Sequence, residues 1–203
     1  MGAAADAAGD GGRPRALSLT DEEAMLRLQR DGDRRAFGLI VRRWEGPIFR
    51  LCARMTGDVH RGEDLAQTAF ARLFERAGSF RHGARLSTFL WRIAVNLCLD
   101  EQRRSGRRAT ASLDGMTDPE PASALPPPPA VAAQHERAEL VRQALGRLSE
   151  RTRAVVVLRH YEGLRFREIA EVLDVPVGTV KSRMADALDR LSALLGPALG
   201  GSD

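Results

Sequence analysis

The 203-residue sequence predicts an all-α protein of two small helical domains joined by a flexible Pro-rich linker, the second carrying a helix-turn-helix. Three observations carry that expectation. Apolar residues recur at three- and four-residue steps along most of the chain, the signature of helices with one buried face. Residues 105–133 interrupt the pattern with PEP, four consecutive prolines and scattered acids, a composition that favours an extended spacer. Finally, Tyr161 to Leu195 describes two helices separated by a tight turn.

Residues 1–17 are mostly Ala, Gly, Asp and Arg, with almost nothing to bury, and read as a disordered arm. The first domain is expected over residues 18–104. It opens with Thr20-Asp21-Glu22-Glu23, a capping box that starts a short helix reaching about Arg30. Phe37, Ile40, Val41, Trp44, Ile48, Leu51, Cys52 and Met55 keep helical spacing from Asp33 to Met55, with Gly46-Pro47 expected to kink or divide the helix and Gly57-Asp58 to end it. A helix from about His60 to Arg76 places Leu65, Ala66, Ala69, Phe70, Leu73 and Phe74 on its apolar side. The glycine-containing stretch Ala77 to Leu86 reads as a loop, and Ser87 is positioned to cap the helix from Thr88 to about Arg104. There Phe89, Leu90, Ile93, Ala94 and Leu97 can face a core, while Trp91, Arg92, Asn96 and Arg103 lie partly elsewhere. An aromatic ring beside arginines suits a single nucleic-acid strand, stacking its bases and holding its phosphates. The same pattern fits a core Trp91 with arginines on a solvated face.

After the linker, the second domain is expected over residues 134–196, with a tail at 197–203. Leu140, Val141, Ala144, Leu145 and Leu148 share one helical side, and Ser149 can cap the next helix, centred on Ala154 to Leu158. Phe166, Ile169, Ala170 and Leu173 then form the apolar face of the helix that Asp174-Val175-Pro176 ends. In the last helix Val180, Met184, Leu188, Leu191 and Leu195 make one stripe, leaving Thr179, Ser182, Arg183, Asp186 and Arg190 opposite. A recognition helix needs such a short-chained polar start to reach base edges in the major groove. Arg183 can donate twice to a guanine, and Thr179, Lys181 and Ser182 can hold phosphates or bases. An amphipathic helical hairpin with a solvated polar face has the same spacing.

The formal charge is +4, and Lys181 is the only lysine. With a pI near 9.9 this suits a nucleic-acid partner, although the arginine bias equally fits a GC-rich genome. Cys52 and Cys98, the only cysteines, sit in apolar helical patterns without metal-ligand spacing and read as buried structural thiols. There is no Gly-rich phosphate loop, metal-ligand cluster or nucleophile with a positioned base, so neither cofactor nor metal is expected and catalysis is the class least favoured. No apolar run reaches the ~18 residues of a membrane span, which points to a cytoplasmic protein without membrane insertion.

Three stretches in order resemble the bacterial RNA polymerase sigma factors, in the compact extracytoplasmic-function (ECF, group four) form. Asp64-Leu65-Ala66-Gln67-Thr68-Ala69-Phe70 resembles the family's acidic-Leu-x-Gln-x-x-Phe motif. Phe89 to Asp100 resembles its promoter-melting helix, and Leu148 to Leu195, including Gly178-Thr179-Val180-Lys181-Ser182-Arg183, its carboxy-terminal domain.

The resemblance implies a non-catalytic initiation subunit whose partners are core RNA polymerase, promoter DNA as duplex and as melted strand, and an anti-sigma factor. It implies polymerase contact at Asp64, Gln67, Phe70 and Leu73, where Phe70 and Leu73 fit plain core packing equally well. Minus-ten DNA would fall to Phe80, Arg81, His82, Arg85, Trp91, Arg92, Asn96 and Arg103. Minus-thirty-five duplex would fall to Arg165, Thr179, Lys181, Ser182, Arg183 and Asp186. Thr68 replaces a usual acid, and Asp186 and Asp189 stand where relatives commonly carry basic residues. Asp186 would repel phosphate or accept from a cytosine amine. A polymerase-independent helix-turn-helix regulator is the competing reading.

Overall fold

The computed structural model describes residues 19–81, 83–111 and 129–199. The expected arm, His82, the centre of the linker and the last four residues lie outside them. The described residues are helical, with no strand among them: α1 (Asp21–Asp31), α2 (Arg34–Thr56), α3 (Val59–Glu75), α4 (Leu86–Ala111), α5 (Pro129–Gly146), α6 (Glu150–Val156), α7 (Phe166–Leu173) and α8 (Val177–Leu199). The helices α4 and α5 extend into both ends of the stretch read as linker.

Local chemistry sets most helix ends. The Thr20 hydroxyl accepts from the Glu23 amide at 3.2 Å while the Thr20 amide donates to the Glu23 carboxylate at 2.8 Å, completing the expected capping box. Gly32 and Gly57 end α1 and α2 in the left-handed conformation, at φ 62° and 75°. Asp58 caps α3 through the Arg61 amide at 3.0 Å, and Ser149 caps α6 through the Thr152 amide at 3.3 Å. Asp174, at φ 53°, makes the turn between α7 and α8.

Three local expectations are corrected. α2 is not divided at Gly46-Pro47 but continues through it, with Ile40 and Ile48 on either side both buried in the core. The start of α4 is Leu86, whose amide donates to Glu22 at 3.1 Å, so the cap comes from a carboxylate 64 residues upstream and not from Ser87. In α8, Ala187 is buried and Leu188 is 48% exposed. At about 100° per residue, position 187 falls about 20° from Val180 around the helix axis, whereas 188 falls about 80° away.

α2 and α3 approach each other closely at Gly62. A Cβ on Gly62 would stand 2.6 Å from Ala53 Cα, so only glycine admits the approach. Trp44 and Trp91 meet edge to face at 5.5 Å, and Cys52 and Cys98 are free and buried in the same core. Beyond α6 the chain passes through a π-helical turn, Val157–Tyr161, before Gly163 turns it into α7.

The two halves, α1–α4 and α5–α8, pack on each other, and their buried apolar side chains form one contiguous cluster. α4 rests against α6 and α7, and α2 against the π-helical turn. Arg153 holds this seam. Its buried guanidinium donates to the carbonyls of Leu145 (2.8 Å), Gly146 (2.8 Å) and Leu148 (3.3 Å) at the end of α5, and across the seam to Met55 at 2.6 Å. Two helix C-termini, each a concentration of negative partial charge, thus share one cation. Burial pushes the Arg153 pKa down, an effect that Glu150 partly opposes. Arg142 adds a bond to the Gly57 carbonyl at 3.0 Å.

Candidate functional site

The residue types singled out in the sequence separate by burial. On α3, Asp64 and Gln67 are exposed, whereas Phe70 and Leu73 are in the core. The exposed line continues through Ala71 to Phe74, which keeps 40% of its surface while its ring meets Phe37 edge to face at 5.2 Å. Spacing alone put Phe74 with Phe70 on the apolar side. The available signal was that Phe74 falls about 20° from the exposed Gln67 around the axis. Thr68 also lies on this face, its hydroxyl donating back to the Asp64 carbonyl at 2.8 Å.

On α4 the exposed side chains Arg92, Asn96 and Arg103 follow one line along the helix, and Arg103 lies 3.7 Å from Asp100. Trp91 is core: 4% of its surface is exposed, and its ring packs on Trp44 and is not offered to a strand. Phe80 is likewise buried, edge to face with Phe89 at 5.7 Å, so it anchors the loop. Arg81 and Arg85 project from the same loop into solvent, and His82 lies outside the described residues.

The polar start of α8 shows Lys181, Ser182 and Asp186 exposed and Thr179 and Arg183 half-buried, over a floor of Val180 and Met184. The Ser182 hydroxyl turns back to the Thr179 carbonyl at 3.1 Å. Pro176 supplies the carbonyl that receives the first amides, from Thr179 at 2.9 Å and Val180 at 3.3 Å. Proline suits this start because it needs no amide partner. Arg165 is exposed just before α7, and its amide donates to Glu168 at 2.8 Å.

The fold brings two of these sets together. A cleft of about 720 Å³ lies between the 79–85 loop, α4 and α7, with Arg81, Arg85, Arg92, Arg165 and Arg167 around it and Glu168 and Glu171 on α7. Within it Arg85 pairs with Glu168 at 2.9 Å, and the Arg92 guanidinium donates to the Glu171 carbonyl. Two cations read as DNA contacts are therefore occupied by the helix-turn-helix in this arrangement. Neither Glu168 nor Glu171 was recognisable as their partner, since each lies about 80 residues away and no local pattern links them. On the other side of the seam Glu162 approaches Arg54 at 3.5 Å, and the Arg54 guanidinium lies 4.1 Å from the Tyr161 ring centre. Burial raises the Glu162 pKa more than Arg54 and Arg50 lower it.

Among the described residues no group of His, Cys, Asp and Glu is placed to hold a metal, and no helix is long and apolar enough to cross a membrane. What the described surface presents is an acid, amide and ring face on α3, an arginine-rich face on α4 and its preceding loop, and a short polar face at the start of α8.

Comparison with known proteins accounts for both halves. Residues 40–108 match the family model Sigma-70 region 2, and residues 138–191 match Sigma-70, region 4. The chain is 36% identical over 166 residues to the ECF RNA polymerase sigma factor SigW of Bacillus subtilis, covering 78% of this chain and 88% of that protein. It is 33% identical over 189 residues to the ECF RNA polymerase sigma-E factor of Escherichia coli K12, covering 89% and 97%. Among solved structures, CnrH in complex with the cytosolic domain of CnrY superposes with TM-score 0.66 at 27% identity, covering 87% of this chain and 97% of that one. The Bartonella quintana sigma factor RpoE, solved with the anti-sigma factor NepR, has the same fold, with TM-score 0.62 at 22% identity over 79% and 96%. Two regions in the family's order, on one helical chain of matching length, establish that this protein belongs to the ECF RNA polymerase sigma factors and serves transcription initiation.

Proposed function

We propose that the chain joins core RNA polymerase through the exposed line of α3 and holds promoter DNA at two places, melted strand along α4 and its preceding loop, and duplex at the start of α8. The proposed units are residues 18–104 for polymerase and minus-ten DNA, 105–133 as tether, and 134–196 for minus-thirty-five DNA. It works in the cytoplasm and is held in check by a separate anti-sigma protein, a reading supported by the complex in which the similarly folded RpoE was solved.

The observation that carries this reading is the sorting of one helical surface into three faces of different chemistry. Asp64, Gln67 and Phe74 combine acid, amide and ring as a protein contact does. Arg92, Asn96 and Arg103 follow a line with donors spaced along it, as a phosphate backbone requires. Thr179, Lys181, Ser182 and Arg183 crowd the first turns of a helix whose other side is buried, the geometry for entering a major groove. Phe70 and Leu73 support the polymerase face from within, as Phe80 and Trp91 support the strand face. The acidic Asp186 narrows what α8 can accept, favouring a cytosine amine over phosphate.

The test is in vitro transcription with core RNA polymerase, with and without the protein, on sheared genomic DNA of its own organism, with transcript starts sequenced. Discrete new starts sharing two upstream motifs are expected, and Asp64→Ala or Gln67→Ala should reduce them together with polymerase affinity. Absence of new starts, with duplex binding retained, would transfer the function to a polymerase-independent DNA-binding regulator.

A further inference from the structure

The segment between α3 and α4, read from the sequence as a loop, opens with a 3-10 turn, Ala77–Ser79, that contains Gly78 and leads on to Gly83, and its backbone is held at both ends by one helix that lies outside the matched region 2. Near the entrance, the Gln29 side-chain amide donates to the carbonyls of Gly78 and Phe80, at 3.1 Å each. At the exit, the Glu22 carboxylate accepts the Leu86 amide at 3.1 Å. Glu22 and Gln29 are seven residues apart on α1, two turns and about 10 Å, so they lie on one face of the helix and project toward the same loop. The helix is itself fastened to α2, since Asp21 accepts from Arg43 at 2.8 Å and from the Trp44 indole at 2.9 Å. Phe80 closes the arrangement from below, buried against Phe89.

We infer that α1 is a splint for the strand-reading loop, with Gln29 and Glu22 as positioning residues that fix the spacing of its ends and thereby the direction in which Arg81 and Arg85 project. The inference rests on the proposed role of that loop at the minus-ten element. A loop with two glycines has many conformations in solution, and a base taken from a duplex is held well only by groups already in place. The 3-10 turn orders the entrance locally, and the two hydrogen bonds from Gln29 and the cap from Glu22 fix where both ends of the segment stand relative to the rest of the fold before DNA arrives. The residues themselves touch no DNA. Their effect reaches the base through the loop.

The test uses the full chain with core polymerase, on promoters identified by the transcription experiment and on versions with single minus-ten changes. Gln29→Met keeps the side-chain length and removes the donor, Glu22→Ala removes the acceptor, and Glu22→Gln retains a carbonyl for the Leu86 amide. Gln29→Met and Glu22→Ala should each lower discrimination between parent and altered promoters about three- to tenfold, with affinity for core polymerase unchanged, and Glu22→Gln should restore it. Unchanged discrimination in both variants would overturn the splint. So would loss of polymerase affinity in step with transcription, which is the mark of a purely structural role. Arg81→Ala and Arg85→Ala are measured alongside. If these also leave minus-ten discrimination intact while transcription proceeds, the loop does not read the strand, and its assignment falls together with the splint.

Discussion

Replacing Arg153 by Ala tests the seam most directly. Arg153 is 8% exposed, and its guanidinium donates to four backbone carbonyls, at 2.6 to 3.3 Å. Two of those carbonyls keep other donors when it is gone. Leu145 still accepts from the Leu148 amide at 3.1 Å, and Met55 from the Gln102 side chain. That of Leu148 is buried and loses its charged donor, whereas that of Gly146 lies at the surface, where water can take the place of the lost donor. A buried acceptor left without a partner costs about 1–3 kcal/mol, and part of that is offset because a cation no longer has to be desolvated. The net loss should be about 1–3 kcal/mol, a sizeable share of the roughly 5–15 kcal/mol typical of a domain. Urea denaturation followed by circular dichroism would measure it, with Arg153→Lys intermediate because an ammonium keeps the charge but not the fork. A loss under about 1 kcal/mol, or full stability in the lysine variant, would refute the view that this fork joins two helix ends.

Further outcomes follow from particular contacts. Gly62→Ala should cost about 1–3 kcal/mol in thermal unfolding, since its new methyl meets Ala53 backbone at 2.6 Å and neither helix can yield freely. Glu162 is an acid whose pKa is higher folded than unfolded. The folded state therefore holds its proton to higher pH, and stability falls as pH rises from about the ordinary value of 4.5 to the raised one, then levels. Glu162→Gln should remove that fall and leave the protein at least as stable at neutral pH. If it is instead destabilised by more than about 1 kcal/mol, attraction to Arg54 outweighs burial. Glu168→Gln should release Arg85 and tighten binding of a mixed-sequence single-stranded oligonucleotide by about fivefold at most, because the pair is largely solvated. Glu63→Gln, the same charge change elsewhere, should have little effect, and equal gains in both would mean that net charge alone is at work.

The proposed binding faces were legible to different depths. Asp64, Gln67, Arg92, Asn96, Lys181 and Ser182 stand on the surface as helical spacing required, because a residue's face follows from its place in the repeat. Aromatic residues were harder to assign. Trp91 and Phe80 have the chemistry to stack on bases, and the fold uses both as core, whereas Phe74, read with the core, stays partly on the surface. Composition states what a ring can do, and only the neighbouring helices decide which side of it is covered.

What the sequence by itself determined was the local and periodic part: eight helices, the caps at Thr20 and Ser149, the turn at Asp174, and three motifs in the order of a sigma factor. These depend on interactions between residues a few positions apart, whose geometry is the same wherever the segment sits. The tertiary structure decided everything that joins distant segments. Glu22 caps a helix beginning at Leu86, Arg153 reaches the carbonyl of Met55, and Glu168 and Glu171 occupy Arg85 and Arg92. A carboxylate or guanidinium can serve any donor or acceptor within reach, so its type leaves the partner open until packing of the apolar faces brings one of them within about 3 Å.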